Sequence, residues 1–122
     1  MGGLLFDSSG WSINSTSSGS LTIGADGVVL NASSGTTSLN KAVTILAGTR
    51  TWKGKTGSTL VMASLAGPTA TSNLQWGVAG DPDYQGTLKL TYNGNGPNIN
   101  IFVLSGTVQA HKTGWINSRD LT

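Results

Sequence analysis

His111 is the sole imidazole in the chain, and it stands with five Asp, no Glu and no Cys as the whole stock of strong proton carriers and metal ligands. General acid–base or nucleophilic catalysis needs such groups paired in a shaped site. His111 sits at an alternating position in Val108–Lys112, where a surface or interface His is the expected role, and no second His supports a zinc site. Asp81 and Asp83, separated by Pro82, are the only close carboxylates. Neighbouring loop carboxylates do not flank a glycosidic bond in the way hydrolysis requires, so the chain is expected not to be an enzyme. The same loop has two further readings. Oxygen atoms in a Gly-bounded turn suit a hard cation such as calcium, whereas an Asx turn, held by its own side chain, needs no third ligand.

Binding is the better use of this inventory. The chain has four Trp and few charges, and aromatic faces suit the C–H faces of sugar rings, with amides and carboxylates reaching the hydroxyls. Trp76 alternates with Leu74 and Val78 and is expected in the core; Trp11 is expected to pack near the N-terminal edge, and Trp115 reads as core or edge cover. Trp52 lies in the polar, turn-rich Arg50–Lys55 segment, and Tyr84 in the Gly80–Gly86 loop, so both are candidate exposed platforms. Lys53, Asp81, Asp83 and Gln85 are the candidate polar partners beside them.

The elements that must position these residues are strands. Gly, Ser, Thr and Asn dominate the polar positions, and no segment carries helical periodicity with caps. Asp26-Gly27, between Ser20–Gly24 and Val28–Asn31, reads as a hairpin turn. Leu88, Leu90 and Tyr92 alternate, as do Ile99, Ile101 and Val103, and Asn93–Pro97 between them reads as the turn of a second, longer hairpin. Ser58–Leu65, apolar on both faces, reads as a central covered strand. No internal period is evident. With no βαβ alternation a parallel sheet is set aside. The expectation is one domain over residues 1–122, with nine or ten strands in an antiparallel two-sheet β-sandwich.

Charge excludes one partner class and hydropathy a second. The formal net charge of +2 comes from seven basic residues against five Asp, clustered only at Arg50, Lys53 and Lys55, too few for the phosphate neutralisation that nucleic-acid binding needs. No stretch approaches the apolar length needed for membrane insertion.

Four segments carry a resemblance: Leu4–Trp11, Val43–Thr49, Leu60–Leu65 and Ile116–Leu121. Taken together the chain resembles the jelly-roll carbohydrate-binding modules found beside xylanases and cellulases, and related domains of phage tail and capsid-spike proteins. That resemblance implies a jelly roll, non-catalytic binding of a glycan or polysaccharide, and a structural calcium at Asp120. It also implies an extracellular or virion-surface location. The alternative function is a structural virion decoration or tail-fibre domain that assembles as a homo-oligomer, a trimer with Phe102–Leu104 partly covered by a neighbour, or with other virion proteins.

Overall fold

The computed structural model describes residues 2–14, 20–45, 48–63, 65–66, 73–91 and 100–110. The described residues form thirteen short strands: β1 (Gly3–Phe6), β2 (Ser12–Asn14), β3 (Ser20–Ile23), β4 (Gly27–Leu30), β5 (Gly35–Asn40), β6 (Ala42–Ile45), β7 (Thr49–Gly54), β8 (Ser58–Met62), β9 (Leu65–Ala66), β10 (Asn73–Trp76), β11 (Thr87–Leu90), β12 (Asn100–Val103) and β13 (Thr107–Ala110). They form three sheets, ordered β1-β4-β7-β10-β12, β2-β5-β8-β11-β13 and β3-β6-β9. Every pairing is parallel.

The chain therefore winds as a β-solenoid. It visits the first, second and third face in turn, so that β1–β2–β3, β4–β5–β6 and β7–β8–β9 are complete coils. The pairs β10–β11 and β12–β13 continue the first two faces.

This overturns the antiparallel jelly-roll sandwich, and the reason is one of connectivity. Parallel neighbours need a crossover of a dozen or more residues, usually a helix. Here the rest of the coil serves as that crossover, so a parallel sheet needs no helix. The two expected hairpins dissolve in the same way. Gly27 does take the positive φ (+65°) that an Asp-Gly turn requires, and its N–H bonds Gly24 O at 3.2 Å. The turn, however, bends the chain from the third face onto the first, and β3 pairs with β6 rather than β4. Likewise β12 pairs with β10, two strands back, and not with β11.

Period-two alternation still decides which side chains go inside. On the first face Leu4 lies beside Val28, Trp52 beside Trp76, and Trp76 beside Val103. On the second, Leu39 meets Met62, and Leu60 meets Leu88. On the third, Ile23 meets Ile45. Val28, Trp52, Trp76, Leu39, Met62, Leu60, Leu88, Ile23 and Ile45 are all fully buried, each aliphatic one contributing about 1.5–3 kcal/mol on leaving water. In β8 the outward Thr59 and Val61 are half-buried while Leu60 and Met62 are enclosed, so this strand has one covered face and not two. No helix of the described residues is long and apolar enough to cross a membrane.

Candidate functional site

A solenoid carries its variable chemistry at its corners, because the faces are committed to the ladder. The corners from the first face to the second span 7–11, 31–34, 55–57, 77–86 and 104–106. The coils on either side of the fourth corner turn with three residues each, at 55–57 and 104–106, whereas that corner takes ten.

The long corner is folded on itself. The Asp81 carboxylate accepts from Asp83 N–H at 2.9 Å, which is an Asx turn around Pro82. Asp81 O accepts from Tyr84 N–H at 3.3 Å and from the Gln85 side-chain amide at 2.9 Å.

It is also fastened to both neighbouring corners. Towards the coil before it, Thr56 N–H donates to Asp83 O at 2.9 Å, and the Thr56 hydroxyl donates to Pro82 O at 2.7 Å while accepting from Gln85 N–H at 3.1 Å. Towards the coil after it, the buried Ser105 hydroxyl accepts from Val78 N–H at 2.9 Å and donates to Tyr84 O. Gly106 N–H reaches the Gln85 side-chain oxygen at 3.0 Å. The approach is close enough to dictate Gly77: its φ is +93°, and a methyl group there would lie 2.2 Å from Ser105 Oγ.

Beside this corner lies an open depression of about 300 Å3 lined by Ser33, Lys55, Thr56 and Asp83. Thr56 spends its hydroxyl on the loop. The Ser33 hydroxyl, the Lys55 ammonium and the Asp83 carboxylate make no hydrogen bond or ion pair among the described residues. Lys53 Nζ lies 4.5 Å from the centroid of the Tyr84 ring, a cation–π contact that ties the loop to β7. Chemically the depression offers one donor-only cation, one acceptor-only anion and a hydroxyl, which together match a ligand rich in hydroxyl groups.

The fold thus gathers Lys53, Asp81, Asp83, Tyr84 and Gln85 at one corner, with altered roles for some. Gln85 spends one end of its amide on Asp81 O within the loop and the other on Gly106 N–H of the next corner, and Asp81 caps the Asx turn, so both position the loop. Trp52 is a correction. It is fully buried in β7, stacked against Trp76, and presents no platform. The segment that looked like a polar turn is a strand in which Thr49, Thr51 and Lys53 alternate outward and Trp52 takes an inward position. Arg50 lies on the Trp52 side of β7 and Lys53 on the opposite one, so the three basic residues do not share a patch. Trp11 is 57% exposed, its indole N–H on Ser8 Oγ at 3.0 Å.

Asp120, His111 and Trp115 lie outside the described residues. Among the described residues, no cluster of three or more Asp or His side chains could hold a metal ion. The sequence reading missed Ser33 and Thr56 and saw Lys55 only as a basic residue. Their proximity to Asp83 follows from stacking coils, a signal available only once the repeat is known. Comparison with protein-family models, curated proteins and solved structures returned no match.

Proposed function

We propose that this chain is a non-catalytic attachment module that binds carbohydrate at the 77–86 corner and works at an extracellular or particle surface. One observation carries the reading. Where neighbouring coils turn with three residues, this one spends ten, and the extra length is fixed by hydrogen bonds to both neighbours. A loop that long, held rigid and bordering a depression with unspent polar groups, is built to meet a ligand without a large ordering cost. The test is a glycan-array screen of the whole chain beside a Thr56→Val variant, which unfastens the loop. Saturable binding that the variant weakens supports the reading, and silence across a broad array removes it.

A second reading, a structural element that assembles with copies of itself, draws on the exposure of Leu5, Trp11 and Leu104. Light scattering decides it: a trimer supports assembly, and a monomer at micromolar concentration removes it.

A further inference from the structure

We propose that the ligand of this corner is an uncharged sugar residue, held between Lys55 and Asp83; the proposal rests on the carbohydrate reading above and names its substrate class. Size comes first. A depression of about 300 Å3 lies at the low end of the small-molecule range, room for one or two sugar units and not for a long segment of polymer.

Charge comes second. The lining carries one cation and one anion, neither engaged in an ion pair among the described residues, so its net charge is zero. The other nearby ammonium, Lys53, rests on the Tyr84 ring, and Tyr84 is bound in turn through its carbonyl to Ser105. A carboxylate only accepts and an ammonium only donates, whereas a sugar hydroxyl does both. Neighbouring hydroxyls can therefore give a proton to Asp83 and a lone pair to Lys55, forming charge-assisted bonds at both ends with no unmatched charge. A uronic acid that pairs its carboxylate with Lys55 leaves two carboxylates beside one cation, and a hexosamine that pairs its ammonium with Asp83 leaves two ammoniums beside one anion.

Geometry comes third. Asp83 is held by its backbone, with N–H on Asp81 and C=O on Thr56, so its side chain starts from a fixed point. Lys55 is placed likewise, its N–H on Leu30 O at 3.0 Å and its C=O accepting from the Ser58 hydroxyl at 2.6 Å.

The test is a nitrogen-15 NMR titration of the whole chain with methyl glycosides of glucose, galactose and mannose, with glucuronate and galacturonate, and with glucosamine. Amide shifts at Ser33, Lys55, Thr56 and Asp83 on adding a neutral glycoside, with the acidic and amino sugars at least about fivefold weaker, are the expected result. Asp83→Asn should weaken the neutral sugar by about tenfold. Asp83→Asn and Asp83→Ser both leave the lining with net positive charge, and each should turn preference towards the uronates. Asp83 is exposed, so an unchanged melting temperature accompanies each variant. A wild-type preference for uronate or for glucosamine overturns this proposal and leaves the carbohydrate reading standing. Shifts at other residues, or none with any sugar, bring down the carbohydrate reading itself.

Discussion

Trp52 and Trp76 occupy neighbouring rungs of the first face, both fully buried, and differ in one respect. The Trp76 indole N–H donates to Gly86 O at 3.0 Å, whereas the Trp52 indole N–H has no hydrogen-bond partner among the described residues. Replacing each by Phe separates that difference from packing. The lost volume is the same, roughly 40 Å3, which at about 24 cal/mol per Å3 costs about 1 kcal/mol for the void, with a similar loss from transfer. Trp52→Phe also removes a buried orphan donor, a relief of about 1–3 kcal/mol that offsets the void. Trp76→Phe instead loses a hydrogen bond worth about 1 kcal/mol; Gly86 O keeps the Thr107 N–H at 3.1 Å, so no acceptor is stranded. The two variants should differ by about 2–4 kcal/mol, Trp52→Phe near neutral and Trp76→Phe clearly destabilised. Urea unfolding followed by far-ultraviolet circular dichroism reads this as a shift in midpoint at constant slope. Equal losses, or a larger loss at Trp52, would refute the reasoning.

Other outcomes follow from the corner's fastenings. Ser105→Ala strands Val78 N–H and Tyr84 C=O and should cost about 2 kcal/mol in the same unfolding assay. Gly77→Ala forces a side chain into a left-handed conformation against Ser105 and should cost about 3 kcal/mol, visible as a large drop in melting temperature. Thr56→Val removes the acceptor of Gln85 N–H, so hydrogen exchange at that amide should accelerate well beyond exchange in β8. Trp11→Ala, at an exposed site, should shift stability by no more than about 0.5 kcal/mol.

Strand character was legible in the sequence because alternation is a local signal: Leu88 and Leu90, or Ile101 and Val103, declare their buried face within a few residues. The winding was not. Stacked partners such as Leu4, Val28, Trp52 and Trp76 recur every 24 residues, yet they share only apolarity, and elsewhere the interval runs from 20 (Thr87 to Thr107) to 28 (Thr59 to Thr87). A repeat that is kept in geometry and not in residue identity leaves no self-similarity to read. Corners and hairpins also draw on the same chemistry, so Asp26-Gly27 fitted either. The site was half legible for the same reason. Asp81 to Gln85 announce a loop by themselves, but Ser33 and Thr56 join it only through stacking of coils, and Trp52 was misplaced because its polar neighbours hid a strand.

The parallel register underlies every step from corner to ligand, and nuclear Overhauser contacts between backbone protons test it most directly. The solenoid predicts contacts from Gln75 to both Thr51 and Phe102, and from Lys89 to both Val61 and Gln109. Close Hα–Hα contacts between Leu88–Leu90 and Ile101–Val103, the mark of an antiparallel hairpin, would contradict it.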